Sequence, residues 1–191
     1  PYLWPPDAAE SARATRCESA SGPTAAPATT TRGDEPKRVG LTWRAGDWEP
    51  RRSLPDEALA RLGAVPGVSW AALQFGVAPP AFCAEDLACA DLGAQARRMQ
   101  DLDLVVTVDT LIAHLAGALG LRVCTLLAEP ADWRWGHGDR SPWYPTMRLF
   151  RQRRPGAWDD VLTALGDALA ASGRARVARG EEFTVDRRRV P

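Results

Sequence analysis

The run Leu104-Val105-Val106-Thr107-Val108 constrains the fold more than any other segment, because four of its five side chains are aliphatic. It lacks period-two alternation, as expected for a strand buried on both faces of a parallel sheet. Similar short runs predict four more strands: Val39–Trp43, Val68–Phe75, Val123–Leu127 and Met147–Phe150. Four helices are predicted beside them: Pro55–Leu62, Leu92–Gln100, Thr110–Leu119 and Trp158–Ala171. This alternation predicts an α/β fold, a Rossmann-like parallel sheet with helices on both faces, and leaves residues 76–90 as an irregular loop.

The ends of the chain differ in composition from this middle part. Residues 17–38 are rich in Ser, Thr, Pro, Ala and Gly and carry almost no large apolar side chains, which predicts a flexible linker. We therefore expect an N-terminal segment and linker over residues 1–37 and the Rossmann-like domain over residues 38–172. Residues 173–191 hold six arginines against three acids, which predicts a solvated or disordered tail.

Charge and cysteine content exclude several classes of protein. The chain has 24 basic and 24 acidic residues, whereas a general nucleic-acid binder needs an excess of Lys and Arg. The four cysteines show no CxxC spacing, so a reduced cytoplasmic protein is expected, with a Cys83–Cys89 disulfide as the weaker alternative. No apolar stretch approaches the ~20 residues that a membrane span requires.

Candidate ligand-binding residues follow the predicted central strand. Asp109 and Thr110 stand where this strand ends and a helix begins, and such a position favours an anion such as a pyrophosphate. Thr110 can cap the helix, and His114 lies one turn further on the same side. An Asp-Thr pair before a helix is also common capping, and His114 could equally be a half-buried structural histidine.

Two other loops reach the same edge of the sheet. The loop after the first strand contains Arg51 and Arg52, whose guanidinium groups can bind phosphate oxygens or can pair with neighbouring acids. Gln74 ends the second strand, where a nucleotide base or ribose can rest. Further along the chain, Trp133 and Trp135 are candidates for contact with a sugar or an acceptor. Trp143 and Tyr144, in the same aromatic stretch, are expected to bury this long loop against the sheet.

Several of these segments resemble a known family of proteins. LVVTVDTLIAHLAGALG, residues 104–120, resembles the D-T/S-x-x-x-H-L-A-G-A-L-G signature of bacterial glycosyltransferases that include the lipopolysaccharide heptosyltransferases. VGLTWRAGDWEPRRSLP and DWRWGHGDRSPWYPTMRLFRQ resemble two further segments of the same C-terminal domain, and the second of them is most similar to versions fused behind tetratricopeptide repeats. The resemblance spans roughly residues 38–165.

The resemblance implies the C-terminal half of a GT-B fold, which binds a nucleotide-diphosphate sugar for an inverting, metal-independent transfer. It assigns Asp109, Thr110 and His114 to the pyrophosphate loop and a neutralising charge to Arg51 or Arg52. No cofactor is expected. Residues 1–37 are too short to form the N-terminal GT-B domain. Because that domain usually supplies the catalytic base in the family, we name no catalytic base. Leu111 stands where a glycine is frequent in the family. Its larger side chain would hold the ligand further from the backbone.

Two other interpretations belong to different classes. The chain could be a non-catalytic remnant or interaction module that keeps the fold without transferase activity. A dehydrogenase-type dinucleotide fold is disfavoured, because no GxGxxG follows the first strand and Gln74 stands where an acidic residue would close the second. Asp101 and Asp103 have the spacing of a metal-binding pair, but they precede the buried strand at the end opposite the predicted ligand site.

Overall fold

The computed structural model describes the backbone of residues 36–178 and the side chains of residues 36–171. Six strands form in chain order: β1 (Lys37–Thr42), β2 (Val68–Ala72), β3 (Cys83–Asp86), β4 (Leu104–Val108), β5 (Val123–Leu127) and β6 (Met147–Arg151). Four α-helices accompany them: α1 (Asp56–Gly63), α2 (Leu92–Met99), α3 (Leu111–Ala118) and α4 (Trp158–Ala178). Two short 3-10 turns cover Pro50–Arg52 and Trp133–Trp135.

The strands form one six-stranded sheet in the order β3-β2-β1-β4-β5-β6, and every pair of neighbours is parallel. The chain builds outward from β1 in one direction and from β4 in the other, so the topology reverses between these two strands. In open α/β sheets, ligands bind beyond the carboxyl ends of the strands at this switch point. The fold therefore directs attention to the residues that follow β1 and β4.

Helices cover both faces of the sheet, and each face has its own apolar core. The first core lies beneath α1 and α4 and includes Val39, Leu41, Leu62, Trp70, Val106 and Leu165. The second lies beneath α2 and α3 and includes Met99, Val105, Ala113, Leu127, Trp135 and Met147. All five residues of β4 are buried, as its composition predicts. The predicted α/β class and Rossmann-like arrangement are confirmed.

The structure corrects two boundaries. Residues 76–90, predicted as an irregular loop, contain the edge strand β3, whose residues are exposed or only half-buried and so lack an apolar signature. Arg38 holds this edge through a hydrogen bond of 2.8 Å from its Nη2 to Glu85 Oε2. Helix α4 continues to Ala178, beyond the predicted helix end at Ala171. The predictions for residues 1–35 and 179–191 lie outside the described residues.

The cysteines also differ from expectation. Cys83 and Cys124 are free thiols, so the alternative Cys83–Cys89 disulfide is wrong. Cys89 is disulfide-bonded, so the prediction that all four cysteines are reduced is wrong as well. Burial raises the pKa of the Cys124 thiol from 9.0 to about 11, and it does the same for Cys83, where Asp86 adds to the effect. Both thiols are therefore protonated at neutral pH.

Candidate functional site

A cavity of about 330 Å³ opens at the carboxyl edge of the sheet, where the topology reverses. We call it the switch-point cavity. Its lining comes from the ends of β1 and β2, from α2 and from the start of α3, and includes Thr42, Gln74, Gln95, Thr110, Leu111 and Ile112. Its volume falls within the range of roughly 300–1,000 Å³ that small-molecule sites occupy.

The first turn of α3 faces this cavity without a side-chain cap. Thr110 occupies the N-cap position in an extended conformation, but its side chain accepts no hydrogen bond from the helix. Its Oγ1 lies 3.2 Å from Thr107 Oγ1 instead. The predicted capping residue is thus correct and the predicted capping bond is wrong. Because the first N–H groups of a helix lack partners within it, those of Leu111 and Ile112 remain available to an anionic group.

Helix α2, which also lines the cavity, begins differently. Its N-cap residue Asp91 accepts a hydrogen bond of 2.6 Å from Ala94 N, so this helix provides its own anion. The uncapped start of α3 is therefore not shared by α2, although α1, whose N-cap residue Pro55 forms no side-chain hydrogen bond, also begins without a cap.

Three polar side chains complete the cavity. Gln74 Oε1 accepts a hydrogen bond of 3.0 Å from Arg44 N, and Gln95 Oε1 accepts one of 2.8 Å from Cys89 N. Gln95 and Thr42 are 1% and 2% exposed. Within the described part of the chain, neither Gln95 Nε2 nor Thr42 Oγ1 has a hydrogen-bond partner. These two residues were missed by sequence reasoning, although a glutamine four residues before Met99 on the core-facing side of a helix is a usable signal.

Arg52 and Asp109, both predicted to bind phosphate, contact each other. Arg52 Nη1 donates a hydrogen bond of 3.1 Å to Asp109 Oδ2, and its Nε lies 3.1 Å from Glu49 Oε2 as an ion pair. The guanidinium also lies 4.5 Å from the centroid of the Trp48 ring. Asp109 is only 5% exposed, so Arg52 supplies the charge that makes its burial tolerable. Arg51 is more exposed and pairs with Glu49.

This arginine cluster borders a second, smaller cavity. It measures about 280 Å³ and is lined by Trp48, Arg51, Arg52, Asp109 and Asp132, among others. Asp109 lines this cavity and the adjacent Thr110 lines the switch-point cavity, so the two open on neighbouring sides of the same β4–α3 connection.

His114 lies on the other side of α3, against the aromatic segment. Its ring stacks on Trp135 at 5.0 Å with an interplanar angle of 16°, and its Nδ1 is 3.1 Å from the Tyr144 hydroxyl. His114 lines neither of the two cavities. Gly117 permits this packing, because a Cβ there would lie 2.5 Å from Tyr144 Cγ.

The two tryptophans predicted for sugar contact have opposite environments. Trp135 is 0% exposed and belongs to the core, so its ring has no free face for a sugar. Trp133 is 80% exposed. Trp143, expected to be buried, is 60% exposed and donates a hydrogen bond from Nε1 to Arg134 O at 2.6 Å, whereas Tyr144 is half-buried as expected.

Two further properties bear on the chemistry of residues 36–178. Across this range no three His, Cys, Asp or Glu side chains are grouped closely enough to hold a metal ion. Asp103 lies at the amino edge of the sheet, where its Oδ2 accepts a hydrogen bond of 3.1 Å from Arg38 N. None of the helices in this range is both long and apolar enough to cross a membrane.

Comparison with known proteins gives two matches, and no protein-family model matches the chain. It is 28% identical over 148 residues to Protein FlbA of Caulobacter vibrioides, an alignment covering 69% of this chain and 25% of that protein. The fold is similar to E. coli heptosyltransferase WaaC with ADP, at a TM-score of 0.47 and 21% identity. That match covers 77% of this chain and 46% of the heptosyltransferase chain. The chain thus spans a quarter of one relative and under half of the other.

Proposed function

We propose that this chain is the sugar-nucleotide-binding domain of an inverting, metal-independent glycosyltransferase. It would act with an N-terminal GT-B domain, in the same or another polypeptide. The observation that carries the proposal is the uncapped start of α3 at the switch-point cavity. The resemblance of residues 104–120 to the glycosyltransferase signature supports it independently.

The diphosphate would lie at the start of α3, with the hydroxyl of Thr110 and the N–H groups of Leu111 and Ile112 as donors. The dipole of α3 favours the same negative charge. Arg44 also lines the cavity, and its side chain is half exposed, so it can approach a phosphate oxygen. Arg52 would act indirectly, because its pairing with Asp109 removes a carboxylate charge that would otherwise repel the ligand.

In the reaction, the acceptor hydroxyl oxygen forms a bond to the anomeric carbon, and the bond from that carbon to the diphosphate oxygen breaks. The electron pair of the broken bond remains on the diphosphate, whose added charge the α3 donors would stabilise. The proton of the acceptor hydroxyl would pass to a base of the N-terminal domain. This chain would therefore contribute binding and leaving-group stabilisation.

One observation favours a second candidate, a non-catalytic module that keeps the fold. The basic and imidazole groups predicted for the ligand are already engaged, Arg52 by Asp109 and Glu49 and His114 by Tyr144. A module of this kind would bind no nucleotide, so nucleotide affinity separates the two candidates.

The test is calorimetric titration of the chain with UDP, GDP, ADP, dTDP and CMP. We expect at least one diphosphate to bind with a micromolar Kd. Thr110→Asp should weaken it by on the order of 100-fold, because the new carboxylate caps α3 and repels the ligand. Thr110→Ser keeps the hydroxyl and should bind like the wild type. Absence of binding by all five nucleotides would contradict the proposal and favour the non-catalytic module.

A further inference from the structure

We infer that the switch-point cavity selects a nucleoside diphosphate whose base presents a carbonyl oxygen, as uracil, thymine and guanine do, through the amide nitrogens of Gln95 and Gln74. The inference rests on the proposed function and adds to it the class of base. The sequence resemblance does not indicate which base is bound.

The orientation of the Gln95 amide is fixed by its surroundings. A backbone N–H can only donate a hydrogen bond, and Cys89 N donates one of 2.8 Å to Gln95 Oε1. Nε2 is therefore the other terminal atom of the amide, and it can only donate. It has no acceptor within residues 36–178, although Gln95 is 99% buried. A buried donor without a partner destabilises the folded chain, so an acceptor on a ligand would recover free energy.

Gln74 repeats this arrangement nearer the mouth of the cavity. Its Oε1 accepts the hydrogen bond from Arg44 N, which leaves its Nε2 as a donor. Two glutamines in one cavity thus present nitrogen rather than oxygen. Thr42 adds a buried hydroxyl that lacks a partner in the same described range.

The remainder of the lining strengthens this bias. The cavity contains no Asp or Glu side chain, and Arg44 is its one charged residue among those described. Leu73, Phe75 and Leu92 provide apolar surface for a flat ring. The amide donors of Gln95 and Gln74 therefore match a ligand edge rich in acceptors.

Bases differ in what their edges offer. Uracil and thymine have a carbonyl oxygen at C4 and guanine has one at C6, whereas cytosine and adenine carry an amino group at the corresponding positions. UDP and CDP have nearly the same shape, so their affinity ratio reports this donor–acceptor difference and little else. An amino group facing Gln95 Nε2 would leave two donors opposed.

The experiment measures the affinities of UDP, dTDP, CDP, ADP and GDP for the full chain. We expect UDP and dTDP to bind at least about tenfold more tightly than CDP, the difference that one mismatched buried hydrogen bond produces. Gln95→Met should reduce the UDP-to-CDP ratio to near one. Gln74→Glu, a half-exposed change that exchanges a donor for an acceptor, should lower the same ratio.

Gln152→Met is the matched control. Gln152 is also a buried glutamine whose Oε1 accepts backbone hydrogen bonds and whose Nε2 lacks a partner in the described chain, but it does not line this cavity. It should keep the wild-type ratio.

The outcomes separate the two proposals. Tighter binding of CDP or ADP than of UDP would overturn the base assignment and leave the proposed function standing. Absence of binding by every diphosphate would overturn both. A wild-type ratio that neither Gln95→Met nor Gln74→Glu changes would also overturn the assignment. If Gln95→Met does not fold, the wild-type ratio and Gln74→Glu decide the question.

Discussion

Helix α3 borders a cavity at its start and is closely packed against aromatic residues on its other side. At its start it borders the switch-point cavity, where its first N–H groups are uncapped and Thr42 and Gln95 hold polar atoms without partners in the described chain. Further along, His114 and Gly117 are packed against Trp135 and Tyr144. One short helix thus combines an edge with unsatisfied polar groups and a side that is filled.

This difference indicates that the cavity side of α3 contributes to ligand binding and the aromatic side to the stability of the fold. Unsatisfied buried donors destabilise a fold, and a molecule bound in the switch-point cavity would satisfy those of Thr42 and Gln95. Stacked rings and close glycine contacts stabilise the fold and leave no space for a ligand. Changes on the cavity side should therefore alter affinity, and changes on the aromatic side should alter stability.

The largest effect is expected at Asp109, the buried residue that precedes the start of α3. Asp109→Ala would leave the buried Arg52 guanidinium with Glu49 as its remaining carboxylate, and losing one partner of a buried pair costs on the order of 3 kcal/mol. Urea denaturation measures the change. The control is Arg51→Ala, an exposed pair worth less than about 1 kcal/mol. Equal losses in the two variants would contradict the buried role of Asp109.

Gly117→Ala tests the filled side. The added methyl group would meet the Tyr144 ring, and overpacking of this kind costs about 1–3 kcal/mol. Nucleotide affinity should stay within about twofold of the wild type, a change below the ~1.4 kcal/mol of a tenfold effect. In contrast, Gly166→Ala in α4 meets no atom within 4 Å and should stabilise the protein by roughly 0.5–1 kcal/mol. A thermal melt of both variants shows whether the contact with Tyr144 is responsible.

The sequence predicts the fold better than it predicts the site. The bounds of β4 and β5 follow from their apolar runs. Gly120, with a φ of 71°, follows the end of α3 and stops the helix as expected. Strand β3 has no such run. The strand order cannot be predicted from a single sequence, because it depends on which face of the sheet each connecting helix covers.

The site is harder to predict because local spacing does not reveal partners. Thr110 is found at the cavity, but Arg52 is engaged by an acid 57 residues away and His114 by a tyrosine 30 residues away. Gln95 is not predicted from the sequence. Its importance depends on the hydrogen bond that Cys89 N donates to its Oε1 and on its Nε2, which has no partner among the described residues.

Thr42→Val sharpens the comparison on the cavity side. Removing a buried hydroxyl that has no partner within the described residues should leave the free energy of unfolding unchanged or raise it by up to about 1 kcal/mol. It should also weaken UDP binding by about tenfold, roughly 1.4 kcal/mol. Thr125→Val is matched, since Thr125 is equally buried and also lacks a described partner but lies outside the cavity lining. Similar affinities for the two variants would contradict a ligand contact at Thr42.

The smallest effect is expected for His114→Phe. This change keeps a ring on Trp135 and removes the hydrogen bond to Tyr144, which is worth about 0.5–1.5 kcal/mol. UDP affinity should not change. A marked loss of affinity would return His114 to the ligand site that the sequence suggested.

The most direct test of the account is a titration of ¹⁵N-labelled protein with UDP, followed by the backbone amide shifts. We predict the largest changes at Leu111 and Ile112, whose N–H groups would meet the diphosphate, and small changes at Gly117 and Trp135. Shifts concentrated at the aromatic residues, or no shifts at saturating UDP, would contradict the claim that the uncapped start of α3 is the binding site.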